Sequence, residues 1–165
     1  MKETILEAFR ELGFTLEQIE DSDHYKFEFE GRNYLWMYNE DDESFLNIAL
    51  TSLLPYTEEG AIGFYQLMDN VNSTVKYVKA YKSCDGLWLF YERELMGEED
   101  LEKSINHMIY RLEATANYIK DLIESLEDSD EDDNCDMIID DIEDLDDAEG
   151  VEATESDSPT EELLK

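Results

Sequence analysis

Three short apolar-rich runs lie in the first half of the chain, and the first of them alternates apolar and polar residues one by one, which is the pattern of a half-buried strand. In the first of them, Tyr25, Phe27 and Phe29 are separated by charged residues. Short polar turns divide the stretches, so together they predict an antiparallel meander. The three predicted strands are 25–29, 34–38 and 45–53.

Two further strands are predicted at Thr74–Lys82 and Leu87–Leu95. The segment between them is Ser83-Cys84-Asp85-Gly86. An Asp-Gly pair between two aromatic-rich runs is a strong indication of a β-hairpin.

Three segments instead carry apolar residues at the three- and four-residue spacing of an amphipathic helix. They are 2–12, 57–72 and 97–126. The order α-βββ-α-ββ-α predicts an α+β domain over residues 1–126. Its five-stranded antiparallel sheet consists of the meander and the hairpin, and three helices flank the sheet.

An acidic tail is predicted to follow this domain at 127–165. It holds 19 of the 45 acidic residues and one of the 12 basic residues, and the whole chain has a formal charge of −33. Such a composition favours disorder. Apolar residues at 137–145 leave two alternatives open: a transient helix, or a segment that folds on a partner or on its own domain.

The sequence offers little catalytic chemistry. His24 and His107 lie far apart in the chain, and no basic or histidine neighbour in sequence activates Cys84. We therefore expect no catalytic residue and no cofactor. One calcium-loop pattern begins at Asp130, but Cys135 replaces its glycine and Asp141 replaces its bidentate glutamate. No metal site is predicted.

The charge also limits the partners. A strongly acidic chain repels phosphate groups, so nucleic-acid binding is not expected. No apolar run has the length of a signal peptide or a membrane span, which predicts a cytoplasmic protein without membrane contact.

Large rings on both faces of the predicted sheet suggest a protein-binding role. At 34–38 and at 87–91, aromatic residues occupy alternating positions, and the remaining positions are also apolar. Either the long third helix covers the second aromatic face, or that face contacts a second copy of the chain or a client protein. The candidate protein-binding residues are Tyr34, Trp36, Tyr38, Trp88 and Phe90.

Two strings resemble the YbjN family, which is described as bacterial sensory transduction regulators. They are the segment from Tyr34 to Ile48 and the segment from Val75 to Glu92. The resemblance covers about residues 1–126. It implies the fold of type III secretion chaperones, frequent dimerisation and action through protein contacts.

The leading hypothesis is therefore a non-enzymatic domain with a regulatory or chaperone-like role. It binds a protein partner or client, and a homodimer is possible. The alternative hypothesis is an acidic decoy, whose charge imitates nucleic acid and blocks a basic, nucleic-acid-binding surface.

Overall fold

A computed structural model describes residues Met1–Ser129 as an α+β structure. Its helices are α1 (Lys2–Glu11), α2 (Ala61–Thr74) and α3 (Leu101–Ser129). Its strands are β1 (Glu17–Gln18), β2 (Tyr25–Phe29), β3 (Arg32–Trp36), β4 (Phe45–Pro55), β5 (Val78–Ser83) and β6 (Gly86–Glu94). The calcium-type pattern and most of the predicted tail, including 137–145, lie outside the described residues.

The strands form one antiparallel sheet in the order β1-β2-β3-β4-β6-β5. The meander and the hairpin are present as predicted, and β6 of the hairpin pairs with β4 of the meander. The prediction of five strands is wrong, because β1 adds a sixth beside β2. With two residues, β1 is too short to show any alternation of apolar and polar positions.

Two helices begin later than the sequence predicts, because polar side chains bind backbone groups ahead of them. The hydroxyl of Thr57 accepts a hydrogen bond from the N–H of Gly60, which forms a turn before α2. Asp100 accepts the N–H of Lys103 and so caps α3. Ahead of that cap, Glu99 accepts the N–H of Met96, and this bond lowers the pKa of Glu99.

One face of the sheet is buried in rows that cross four strands. Strand register aligns Tyr34, Leu50, Leu89 and Ala80 in one row, and Trp36, Ile48, Tyr91 and Val78 in the next. All eight side chains are buried. Because residues two apart in a strand share a face, these rows define the core side of the sheet.

All three helices pack on that side. Phe9 of α1 lies 5.3 Å from Phe27 and 5.8 Å from Trp36 between ring centroids. Glu113 of α3 accepts a hydrogen bond from Tyr34. The helices α1 and α2 each contact α3, and the buried residues of all three belong to the same core cluster. The opposite face of the sheet therefore carries no helix from residues 1–129.

The β5–β6 turn brings β4 unusually close to the start of β6. Pro55 pairs with Gly86, and a Cβ added at Gly86 would lie 2.9 Å from the carbonyl oxygen of Leu54. Only glycine fits beside that backbone oxygen without displacing it. The close approach therefore anchors the hairpin to the meander.

Gly86→Ala is expected to lower the free energy of unfolding by about 1–3 kcal/mol, because the new methyl group meets rigid backbone. Gly63→Ala is the matched control: nothing lies within 4 Å of a Cβ there, and alanine favours the interior of α2. We expect that control to leave stability unchanged or to raise it by about 0.5–1 kcal/mol. Urea unfolding measures both, and equal stability of the two variants would contradict the close contact.

Candidate protein-interaction face

The sheet face opposite the helices has an apolar centre. We name it the open face, and its central row runs across the sheet through Lys26, Leu35, Ala49, Phe90 and Lys79. Leu35 and Phe90 are half-buried, and Ala49 between them is fully buried. The apolar centre is thus bounded by one lysine on each side.

Aromatic rings extend this centre toward the β5–β6 turn. The hairpin register places Tyr81 opposite Trp88. The rings of Trp88 and Phe90 are stacked with centroids 6.1 Å apart, and Tyr81 lies 5.7 Å from Phe90. Tyr81 keeps 48% of its surface exposed. A half-exposed group of three packed rings is typical of protein-binding surfaces.

The strand β4 runs along the middle of the open face. On β4, the residues that share this face are Phe45, Asn47, Ala49 and Thr51, of which Phe45 is 40% exposed. The neighbouring strands carry larger side chains beside them, chiefly Leu35 on β3 and Phe90 on β6. Because Ala49 has no exposed surface, these neighbours cover it, and the middle of the open face is closed by side-chain packing.

Ion pairs hold both bounding lysines. Lys26 lies 2.9 Å from Glu17, and Lys79 lies 3.0 Å from Glu92. The hydrogen bond to Glu92 raises the pKa of Lys79. Both pairs are solvent-exposed, so they position the side chains but contribute little stability.

Acidic turns lie at both ends of the strands. Because neighbouring strands are antiparallel, Glu30 and Asp85 lie in turns at one end, and the loop 39–44 lies at the other. That loop contains four consecutive acids, Glu40 to Glu43. A segment laid on the open face along the strand direction would meet negative charge at both of its ends.

Two buried polar atoms of the open face lack a hydrogen-bond partner among the described residues. They are Nε1 of Trp88 and Oδ1 of Asn47, whose amide nitrogen donates to Glu92. Such unpaired groups cost stability. The side chains of this face are therefore closely packed, but these two polar atoms are buried without a hydrogen bond.

The sheet edges are less suited to binding than the open face. At the β5 edge, Asn72 of α2 donates to the carbonyl of Ala80 at 3.0 Å and accepts its N–H at 2.7 Å. This side chain occupies the place of a neighbouring strand. At the other edge, β1 has only two residues. Short and blocked edges limit pairing with a strand from another chain.

The five predicted binding residues do not share one surface. Trp88 and Phe90 lie on the open face, as described above. Tyr34, Trp36 and Tyr38 are at most 7% exposed and lie on the helix-covered side. The ring of Trp36 contacts Phe9 of α1, so α1 as well as α3 covers the aromatic side of β3. These three residues therefore build the core and do not belong to the open face.

Tyr34 binds a buried carboxylate. Its hydroxyl donates to Glu113, which also forms an ion pair with Arg32. Burial, followed by this hydrogen bond, raises the pKa of Tyr34 far above its ordinary value. The group links β3 to α3 and satisfies a carboxylate that is only 6% exposed. The three side chains therefore form a structural cluster, because Glu113 is already bound by both Tyr34 and Arg32.

Tyr38, which lies two residues beyond the end of β3, has a similar role. Its hydroxyl donates to Glu43, and this bond raises the pKa of Tyr38 to about 12. The ammonium group of Lys2 lies 4.7 Å from the centroid of its ring. Tyr38 thus ties the acidic loop and α1 together.

The residues considered for chemistry lie in separate places. His24 precedes β2, whereas His107 on α3 contacts the rings of Tyr77 and Tyr91. Cys84 lies exposed in the β5–β6 turn. No three His, Cys, Asp or Glu side chains of Met1–Ser129 are placed to hold a metal ion together.

A groove of about 650 Å³ lies between the chain that follows α1 and the strand β2. Its ionisable lining residues are Glu17, Lys26 and Glu28, of which the first two form an ion pair. This lining offers no nucleophile with an adjacent base.

Within the same described part of the chain, no helix is both long and apolar enough to cross a lipid bilayer.

Sequence reasoning missed Leu35 and Tyr81 as members of the candidate site. For Tyr81, the signal was present in the hairpin itself. Counting back from the pair Ser83 and Gly86 places Tyr81 opposite Trp88 and on the same face. For Leu35, an isolated leucine among four aromatic or sulfur-containing residues gave no such signal.

Comparison with known proteins identifies the fold but no family. No family model matches the sequence, and no relative was found among curated proteins. The described fold is similar to the crystal structure of E. coli YbjN, described as a candidate transcription regulator, with a TM-score of 0.55. The two chains are 9% identical, and the match covers 69% of this chain and 86% of YbjN. At this identity the likeness shows a shared fold, so membership of the YbjN family stays an expectation.

Tyr34→Phe is expected to lower the free energy of unfolding at neutral pH by about 1–3 kcal/mol, because the buried Glu113 loses a donor. The substitution should also change how the free energy of unfolding depends on pH in alkaline solution. A raised pKa means that the neutral hydroxyl stabilises the fold below the pKa of about 10 in the unfolded chain, and that this contribution is lost as the pH rises further.

Above pH ~10, the free energy of unfolding of the wild type should therefore fall by about 1.4 kcal/mol per pH unit more than that of Tyr34→Phe. Urea unfolding across neutral and alkaline pH gives both quantities. Tyr110→Phe, at an exposed position of α3, is the matched control and should stay within about 0.5 kcal/mol of the wild type at neutral pH. Parallel alkaline profiles for the wild type and Tyr34→Phe would refute the proposed linkage.

Proposed function

We propose that this chain is a non-enzymatic protein-interaction domain of the cytoplasm, with a regulatory or chaperone-like role, and that it binds a protein partner through the open face. The observation that carries the proposal is the one-sided sheet. Three helices cover one face, while the other keeps Leu35, Trp88, Phe90 and Tyr81 at its centre. An apolar face of this kind gains most when a partner removes it from water.

The arrangement of charge supports the same proposal. The open face has an apolar centre with charged groups at its margins, which is the anatomy of a protein interface. His24, His107 and Cys84 lie in separate parts of the fold and do not form a common site, so they favour a binding function over a catalytic one. The likeness to YbjN, described as a candidate transcription regulator, supports a regulatory role over a metabolic one.

Trp88→Ala and Trp36→Ala form a matched pair that tests the assignment of the two faces. Trp36 is fully buried, so its truncation should cost about 3–5 kcal/mol of unfolding free energy. Trp88 is half-buried, so its truncation should cost clearly less while it weakens partner binding by about 2 kcal/mol or more.

Denaturant unfolding measures the first effect. Affinity purification of the tagged full chain from native lysate, with quantification of the retained proteins, measures the second. Tyr110→Ala removes an exposed ring outside the open face and should retain every partner. Strong destabilisation by Trp88→Ala with unchanged partner retention would place Trp88 in the core and remove it from the binding surface.

The charge of the chain favours a second candidate, the acidic decoy. Residues 127–165 carry a formal charge of −18, and residues 1–126 carry −15. If the charge itself is recognised, the tail should dominate binding. If the open face is recognised, binding should depend mainly on its apolar residues.

Deletion of residues 130–165 separates these two functions. We expect the shortened chain to retain its protein partner and to bind it with modest salt dependence, since burial of apolar surface is weakly screened. The measurement is the affinity of the captured partner for both chain lengths at low and high salt. Loss of binding on deletion, with a steep decrease of affinity in salt, would support the decoy instead.

A further inference from the structure

We infer that the surface around Tyr77 is a second binding site, which takes a segment of a partner protein that carries one carboxylate beside an aromatic side chain. The site lies between the start of β5 and α3, and it is separate from the open face. Its members are Tyr77, His107 and Arg111, which we name the Tyr77 patch. Three observations carry the inference: the backbone of Tyr77, the support of its exposed ring and the basic residues around it.

Tyr77 has a backbone conformation that a tyrosine rarely adopts. Its φ is 73°, in the left-handed region, where a bulky side chain is strained. In a regular strand, Tyr77 would share the open face with Lys79, two residues later. The ring instead lies on the helix side, where it stacks on Tyr91. Because residues held in such strained conformations cluster at functional sites, Tyr77 is a candidate binding residue.

The ring of Tyr77 is held in place but remains accessible. It lies nearly parallel to the ring of Tyr91, with centroids 5.7 Å apart. The ring of His107 is nearly perpendicular to it at 6.3 Å, and the guanidinium of Arg111 lies 5.9 Å from its centroid. Tyr91 is 5% exposed, whereas Tyr77 keeps 61% of its surface exposed. The patch thus presents a fixed ring beside an arginine, and both residue types are enriched at protein interfaces.

The Tyr77 patch lies where two segments without acidic residues meet. Residues 70–84 contain three lysines and no acid, and residues 103–112 contain Lys103, Arg111 and no acid. These segments contrast with a chain whose formal charge is −33. Neither Lys76 nor Arg111 forms an ion pair with any of the described residues. The guanidinium of Arg111 is therefore available to a carboxylate of another chain.

These groups together select the chemistry of the ligand. A guanidinium binds a carboxylate through two parallel hydrogen bonds, and an exposed ring stacks against another ring. A run of acids is less suitable, because the rest of the chain would repel it. The expected ligand is therefore a segment in which one glutamate or aspartate adjoins an aromatic residue, between uncharged neighbours.

Three short peptides with blocked ends test the inference by NMR titration of the isotopically labelled full chain. The first contains one glutamate next to one tryptophan, among glycine and serine. The second has glutamine in place of the glutamate, and the third has serine in place of the tryptophan. The first should shift the backbone signals of Tyr77, His107 and Arg111, and it should bind at least ~10-fold more tightly than either of the others.

Variants of the chain locate the binding. Arg111→Glu removes the guanidinium and Tyr77→Ser removes the ring, and each should weaken binding of the first peptide at least ~10-fold. Lys120→Glu makes the same change of net charge at an exposed position farther along α3, and Tyr110→Ser removes another exposed ring of that helix. Each of these two controls should change the affinity less than ~2-fold.

Glycine at position 77 separates the role of the ring from its effect on folding. Tyr77→Gly should unfold at a higher temperature than Tyr77→Ser, because glycine adopts positive φ without strain. Both variants should lose the first peptide to the same extent. If thermal unfolding shows that Tyr77→Ser does not fold, Tyr77→Gly provides the binding test. A lower unfolding temperature for Tyr77→Gly than for Tyr77→Ser would contradict the strain.

Several results would overturn the inference: no binding of the first peptide, equal binding of the first and second peptides, or unchanged binding in both Arg111→Glu and Tyr77→Gly. A dimer in sedimentation that Arg111→Glu dissociates would identify a second copy as the occupant instead. Deletion of residues 130–165 tests the chain's own acidic residues as the occupant. They would be identified by at least ~10-fold tighter peptide binding after deletion, measured at high salt to screen the charge removed.

The open face serves as a further control, because it is separate from the Tyr77 patch. Trp88→Ala should leave the affinity for the first peptide unchanged within ~2-fold. If no peptide binds while Trp88→Ala still releases a captured partner, this inference fails and the proposed function stands.

Discussion

Packing of all three helices on one face of the sheet is the constraint on which the rest of this structure depends. Side chains alternate between the two faces of each strand, so the strand register divides the apolar residues into two sets. The set that includes Tyr34, Trp36 and Leu89 lies beneath the helices. The other set has Leu35 and Phe90 at its centre and remains on the surface.

Polar links make this one-sided arrangement specific. The buried Glu113 holds Tyr34 and Arg32 of β3 against α3, and removal of one partner would leave a carboxylate without full compensation. Asn72 ties α2 to the edge strand β5 in the same way. These contacts hold the helices on the observed side of the sheet.

Much of this fold could be predicted from single residues and spacings. Alternating rings located β2, β3 and β6, and the Asp-Gly pair located the β5–β6 turn. The strand β1 could not be predicted, because its two residues have no pattern of their own and depend on pairing with Tyr25 and Lys26. The starts of α2 and α3 were placed too early. The acidic residues that follow Thr57 and Gly97 are typical of a helix N-terminus, but hydrogen bonds to Thr57 and Glu99 form turns there before the helices begin.

The candidate site was harder to predict, since period-two alternation shows that two faces exist but not which of them the helices cover. Rings occur on both, so Trp36 and Trp88 were indistinguishable in sequence. Only the contact of Phe9 with Trp36 and the bond of Glu113 to Tyr34 distinguish them. A long-range contact of this kind depends on the path of the chain and has no local signature.

Thiol labelling of single cysteines tests the one-sided sheet most directly. In a chain that carries Cys84→Ser and Cys135→Ser, Leu35→Cys and Leu50→Cys place one thiol on each face of the sheet. The account predicts that the thiol at position 35 reacts in the native state and is protected by a bound partner. It predicts that the thiol at position 50 reacts only on unfolding. Equal rates at the two positions, or no protection at position 35 by a bound partner, would contradict it.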